Sequence, residues 1–348
     1  QGALSLNQDQ KGGTNLSHQK DTDYLALSSR IHAMENRLLT RERMERMLEA
    51  KEPGEAAKVL AECGYGELVE QNAGGLEQLL SKARNDLFRE LEQALPQKSV
   101  MQVFQLKFDY HNMKVLLKMQ ALGKGQPEPL LLTGGRYDPA VLLERYRREE
   151  LGDVSPVLRK AVMEAKETLS ATGDPQRADF RLDRAYYEEM ANLAEETGSE
   201  LLRGYVRLVV DAANLRCVVR AARLEKGGDF LSLALVPGGT VSQQALVSIR
   251  GEELAGLFQT GPLAVAAALG SRLLHAEDGP LTEFERLCDD ALMEYLSAAR
   301  RVPFGVETVI GYLYAREVEA TIIRTILSGR MAGLAGEIIR GRLRSAYV

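Results

Sequence analysis

The sequence predicts an all-α protein made of three related helical units. Three observations point to the units. Apolar residues recur with helical period along most of the chain. One helical pattern returns about every hundred residues. A helix start precedes each copy in phase.

The period is clearest in residues 201–219. Leu201, Tyr205, Leu208, Ala212, Leu215 and Val219 are spaced by 4, 3, 4, 3 and 4 residues, which is one stripe of an α-helix. The β-branched cluster Val206, Val209 and Val210 favours a strand locally, but the sustained 3/4 spacing outweighs it. An earlier copy is anchored on Asp109 as this one is on Asp211. Val103, Leu106, Tyr110, Met113 and Leu117 stand at the offsets of Tyr205, Leu208, Ala212, Leu215 and Val219. Both copies have Asn three residues after the anchor, Asn112 and Asn214. Both have a cation at +5, Lys114 and Arg216, and another at +9, Lys118 and Arg220. A more diverged copy is anchored on Glu319. It keeps Leu313, Ala320, Ile323 and Leu327 on the stripe and Arg324 at +5. Arg316 interrupts its stripe, and Ile322 replaces the Asn.

Helix starts repeat in phase with these anchors. Thr40 precedes RERMERML, Asp138-Pro139 precedes AVLLERY and Ser242 precedes QQALVSI. Thr, Asp and Ser accept from the unpaired N–H groups of a first turn, and Pro suits the first helical position. The distances from cap to anchor are 69, 73 and 77 residues. Gly134-Gly135 and Gly238-Gly239 place a turn before two of the starts. Residues 182–187 also match 284–289. The expected units are residues 23–130, 131–240 and 241–348, behind a polar tail at 1–22.

Composition narrows the function. Of 348 residues, 45% are hydrophobic and the formal net charge is −5. A core is available, but the basic excess of a nucleic-acid binder is missing. Trp is absent and aromatics make up 6%, which disfavours a pocket that stacks bases. Cys63, Cys217 and Cys288 are odd in number and widely spaced, without the pattern of a disulfide framework or zinc site. No apolar run reaches the ~18 residues of a membrane span, and no signal peptide is visible.

Asp109 and Lys114, like Asp211 and Arg216, stand about 140° apart around a helix. They cannot pair within it and must face different neighbours or water. Ion pairs between units, a polar central cavity and solvated flanks all fit this spacing. Catalytic signatures are missing: no phosphate-cradling G-x-x-x-x-G-K-[ST], H-E-x-x-H, G-x-S-x-G or G-x-G-x-x-G occurs. His18, His32, His111 and His275 have no ligand spacing to one another. The sequence therefore predicts no catalytic residue, no cofactor and no metal site. One alternative is an all-α, Mg-dependent enzyme acting on a diphosphate. Asp289, Asp290 and Glu294 form a DDxxx(D/E) helix motif of the kind that holds Mg²⁺. A partner motif of the N-x-x-x-S-x-x-x-E kind is missing.

The stretches YLALSSRIHAMENRLLT (24–40), FDYHNMKVLLKM (108–119), DPQRADFRLDRAYYEEM (174–190) and PFGVETVIGYLYAREVEATIIRTILSGR (303–330) carry a family resemblance. Through them the chain resembles the C subunits of bacterial and archaeal V-type (A-type) ATPases, relatives of the d subunit of eukaryotic vacuolar ATPases. The resemblance runs from Tyr24 to the C-terminus. Ile322 departs from it, since Asn is frequent there. It implies three helical units packed as a funnel with a pseudo-threefold arrangement, and a non-catalytic central-stalk rotor subunit on the cytoplasmic face of the membrane, peripheral and without a cofactor. Such a protein links the central shaft to the membrane rotor ring and transmits torque between ATP chemistry and ion transport. The expected partners are the ring and shaft subunits. The candidate contact turns are Gly134, Gly135, Gly238, Gly239, Pro303, Phe304 and Gly305.

Overall fold

Thr40, Asp138 and Ser242 each cap a helix. Thr40 accepts from Arg43 N–H at 3.3 Å, Asp138 from Ala140 N–H at 2.9 Å, and Ser242 from Ala245 N–H at 3.2 Å. The computed structural model describes residues 20–123, 125–249, 251, 253–274 and 281–347. Most of the polar tail, His18 and His275 lie outside the described residues. Of the described residues 74% are helical and none is in a strand; the Val206–Val210 stretch is helix.

Before the second cap come α1 (Leu25–Glu35), α2 (Arg41–Glu49), α3 (Pro53–Glu62), α4 (Ala73–Ala94) and α5 (Ser99–Leu122). Then follow α6 (Pro139–Arg148), α7 (Pro156–Thr172), α8 (Pro175–Thr197), α9 (Glu200–Arg223) and α10 (Gly228–Ala234). The last stretch holds α11 (Gln243–Val247), α12 (Glu253–Leu257), α13 (Ala264–Leu273), α14 (Thr282–Ser297), α15 (Val306–Met331) and α16 (Gly336–Arg340).

The three anchored helices, α5, α9 and α15, are buried on most sides. Val309, Ile310, Tyr312, Leu313, Tyr314 and Ala315 of α15 are nearly all consecutive and all buried. A helix apolar all round belongs inside a protein. The three helices meet through aromatic rings. Phe104 of α5 stacks on Tyr205 of α9 with centroids 6.1 Å apart, and Tyr205 meets Tyr314 of α15 edge-on at 5.5 Å. Around them the packing follows a rotation: α5 lies against α8, α9 against α14, and α15 against α4.

The large core runs through α5, α9 and the first half of α15. A second core joins the two ends of the chain. Met47, Leu60, Leu76 and Leu80 from α2, α3 and α4 pack with Ile322, Ile323, Ile326 and Leu327 of α15 and Ile339 of α16. Helix α1 also packs on α15. At that contact Gly305 N–H donates to Ser28 Oγ at 3.2 Å.

His32 of α1 faces two acceptors. Nδ1 is 2.9 Å from Glu35 Oε2 and Nε2 is 3.0 Å from the Pro303 carbonyl. Only the imidazolium donates to both. The Glu35 hydrogen bond, with a smaller contribution from Pro303, raises the His32 pKa above its usual 6.5 despite some opposing desolvation. The folded protein thus holds this proton more tightly than the unfolded chain. The stabilisation is complete below about pH 6.5 and is lost as pH rises through the folded value. Thermal melts of the wild type and His32→Gln from pH 5.5 to 8.5 are expected to differ most at the acid end and converge at the alkaline end. A constant difference would refute the assignment.

Candidate functional site

The anchors Asp109, Asp211 and Glu319 are buried, with 0%, 3% and 4% of their surface exposed. Each accepts a backbone N–H from the residue immediately before a helix cap. Asp109 takes Tyr137 N–H at 3.4 Å, ahead of the Asp138 cap. Asp211 takes Val241 N–H at 3.2 Å, ahead of the Ser242 cap, and Thr240 N–H at 3.0 Å. Glu319 takes Leu39 N–H at 2.5 Å, ahead of the Thr40 cap. The third carboxylate thus returns to the start of the chain.

A buried carboxylate needs further donors. Arg136 gives Asp109 a 2.7 Å bond through Nε and reaches Glu189 at 2.7 Å; Tyr110 Oη donates to the same Glu189 at 2.7 Å. Burial outweighs the lowering by the Arg136 guanidinium and leaves the Asp109 carboxyl raised to about 6. Asp211 receives the Thr240 hydroxyl at 2.5 Å. Glu319 receives Tyr65 Oη at 2.7 Å and the Arg316 guanidinium. Burial raises the Glu319 pKa, and Arg316 opposes the rise. Arg316, the interruption in the stripe, is therefore the partner of this carboxylate, and it stacks over Tyr65 at 4.3 Å.

The asparagines grip the approaching chain. Asn112 donates to Leu132 O and accepts from Leu132 N–H, both at 2.8 Å. Asn214 binds both polar groups of Val236 at 2.8 and 2.9 Å. Leu132 is five residues before Tyr137, and Val236 is five before Val241. The residue five before Leu39 is Met34, inside α1, and its carbonyl already accepts Arg37 N–H at 3.0 Å. A helical peptide offers an Asn nothing to bind, and Ile322 fills that place as core.

The +5 cations follow the same rotation. Lys114 pairs with Asp183 of α8 at 2.5 Å, Arg216 with Asp289 of α14 at 2.5 Å, and Arg324 with Glu77 of α4 at 2.9 Å. Lys118 pairs with Asp179 at 2.5 Å and Arg220 with Glu285 at 2.6 Å. Of the arrangements left open by the spacing, these residues adopt ion pairs between packed helices.

The Gly-Gly turns serve the carboxylates. Gly134 and Gly238 have φ of +98° and +105°, where a side chain is strained. A Cβ on Gly135 would lie 2.2 Å from Asp109 Oδ1, and one on Gly239 would lie 2.1 Å from Asp211 Oδ1. In the turn at Pro303, Phe304 is 37% exposed and Gly305 has φ of +140°.

The acidic motif of α14 does not converge on a site. Asp289 binds Arg216 and, at 2.8 Å, Arg344; Asp290 binds Arg286 at 2.9 Å and Ser345 N–H at 2.7 Å. Glu294 is exposed. Arginines cancel the charge that Mg²⁺ would need, so the diphosphate-enzyme reading finds no support. Among the described residues no group of three His, Cys, Asp or Glu side chains is placed to hold a metal ion. No described helix is long and apolar enough to cross a membrane.

Sequence reasoning missed Arg136, Glu189, Tyr65 and Thr240. Arg136 and Thr240 directly follow the Gly-Gly turns, and that shared place was the available signal. Glu189 and Tyr65 belong to other helices or loops and carried none.

The model of the ATP synthase (C/AC39) subunit family matches residues 27–342. The chain belongs to this family. It is 23% identical to the C subunit of the V-type sodium ATPase of Enterococcus hirae, over 93% of this chain and 99% of that one. It is 24% identical to the C subunit of the A-type ATP synthase of Methanocaldococcus jannaschii, over 92% and 86%. It is also 24% identical to the C subunit of the V-type ATP synthase of Thermus thermophilus, over 90% and 95%. The chain is thus a structural, non-catalytic member of a rotary ATPase, and its partners lie within that complex.

Two kinds of substitution test the joints of this protein. Gly135→Ala drives a methyl into a buried carboxylate and is expected to cost about 1–3 kcal/mol, as is Gly239→Ala. Ile322→Asn buries an amide with no peptide to bind and is expected to cost about 2–4 kcal/mol. Chemical denaturation measures all three. Wild-type midpoints would disprove the packing described.

Proposed function

We propose that this member of the ATP synthase (C/AC39) family is a central-stalk rotor part on the cytoplasmic face of the membrane. It links the shaft to the membrane rotor ring and carries torque between ATP hydrolysis or synthesis and ion transport. It does so as a peripheral protein held by protein contacts. The units 23–130, 131–240 and 241–348 form a pseudo-threefold funnel in this reading. The turns at Gly134–Gly135, Gly238–Gly239 and Pro303–Gly305 are the surfaces we assign to ring and shaft.

One observation supports the reading above the others. The three carboxylate-to-backbone joints run in a circuit, with Glu319 returning to Leu39. A part that passes torque between two partners must not unwind. A close-packed body with its last segment bonded to its first resists that deformation better than an open row of helices.

The test is coupling. Membranes carrying the ATPase with Glu319→Ala are expected to keep most ATP hydrolysis in the soluble head and lose ion transport driven by it. The intact complex should release the protein as salt is raised, since exposed ionic contacts are screened. Full ion transport by a complex that lacks this protein would overturn the proposal.

A further inference from the structure

Helix α8 separates its charges onto two faces. Asp179 and Asp183, one turn apart, pair with Lys118 and Lys114 of α5. Arg177, Arg181 and Arg184 lie elsewhere on the helix at spacings of four and three, which puts them in one row. They line a groove of about 260 Å³ together with Phe180, Thr172 and Leu233. Among the described residues no carboxylate lines this groove. Arg177 makes a loose 3.6 Å contact with its own helix cap, Asp174. Arg184 donates to the Leu235 carbonyl at 3.5 Å. Among the described residues no carboxylate oxygen lies within 4.0 Å of Arg181 or Arg184.

The other helices in equivalent contacts differ. On α14, Arg286 is paired with Asp290 at 2.9 Å; on α4, Lys82 is paired with Asp86 at 2.8 Å. The arginine row is thus a local excess of positive charge on a chain whose net charge is −5. It sits beside an apolar wall. Leu233 is 45% exposed, and Phe180 is fixed edge-on against Phe230 at 5.5 Å. A guanidinium fork binds a carboxylate with two parallel bonds.

We propose that this groove docks an acidic segment of another protein of the ATPase. Its carboxylates bind Arg181 and Arg184, and an apolar side chain rests on Leu233 and Phe180. A concave groove of a few side chains' volume suits a peptide better than a flat bilayer, and the negative net charge repels anionic lipid. The proposal rests on membership of the ATPase and not on the torque reading.

The test uses the assembled complex. Arg181→Lys and Arg184→Lys keep the charge and supply an amine that a carbodiimide joins to a touching carboxylate. Mass spectrometry is expected to find a new zero-length link from position 181 or 184 to an Asp or Glu of another protein of the complex. Arg181→Glu with Arg184→Glu is expected to weaken retention of the chain roughly tenfold. Its melting temperature should stay close to that of the wild type, because among the described residues neither arginine has a carboxylate partner and the bond from Arg184 to the Leu235 carbonyl is long, at 3.5 Å. Three results would overturn the proposal: no link from either lysine in intact complex, undiminished retention of the double Glu variant, or wild-type co-sedimentation with phosphatidylserine vesicles that this variant abolishes. The last would make a membrane the occupant. Each leaves the coupling experiment to decide the torque reading separately.

Discussion

A buried carboxylate that accepts the backbone N–H before a helix cap is the constraint on which the structure depends. It occurs at Asp109, Asp211 and Glu319 and fixes where the next run of helices begins. The requirement spreads outward from the charge. The carboxylate needs extra donors, which Arg136, Thr240, Tyr65 and Arg316 provide. The chain must come close, so Gly135 and Gly239 have no room for a side chain. The approaching stretch of peptide has its own polar groups, which Asn112 and Asn214 satisfy. Removing one donor leaves a buried charge without its full complement, which costs far more than an exposed ion pair returns.

The three joints share a logic and differ in detail. Two use Asp and a glycine turn. The third uses Glu, one methylene longer, where Arg37 stands in the glycine's place relative to the cap. Helix α1 lies before that third cap where non-helical chain with a Gly-Gly turn lies before the others, and this one change accounts for Ile322. The exposed cation pairs contribute less. Arg324 and Glu77 are 40% and 50% exposed, and such pairs are worth about 0–1 kcal/mol. They add to register more than to stability.

Much of this was legible in the sequence. Stripes, caps and repeated polar positions lie within single helices, where spacing alone determines which residues share a face. The buried stripe of α9 and the caps at Thr40, Asp138 and Ser242 are cases of this kind. The pair of hydrogen bonds between Asn214 and Val236 was not legible, because it joins residues 22 apart across a turn. Nor was the reach of Tyr65 to Glu319, a separation of 254 residues. The Gly-Gly pairs were legible as turns, but not as places where the backbone comes close to a buried side chain. The close approach that demands Gly135 comes from a carboxylate 26 positions away. The carboxylates of α14 looked available as a cluster because the two arginines that engage Asp289, Arg216 and Arg344, come from distant segments.

The joints also differ in how far apart their halves are made. Tyr137 is 28 residues from Asp109 and Val241 is 30 from Asp211, whereas Leu39 is 280 from Glu319. During synthesis the first two close soon after their residues leave the ribosome. The third waits until α15 has been made. Until then Leu39 and the apolar faces of α2 and α3 have no α15 to pack on, and bringing such distant ends together carries the largest loop-closure entropy. Helices α2 and α3 are therefore secured later than the helices that follow them, and removing α15 would leave them without their packing partner.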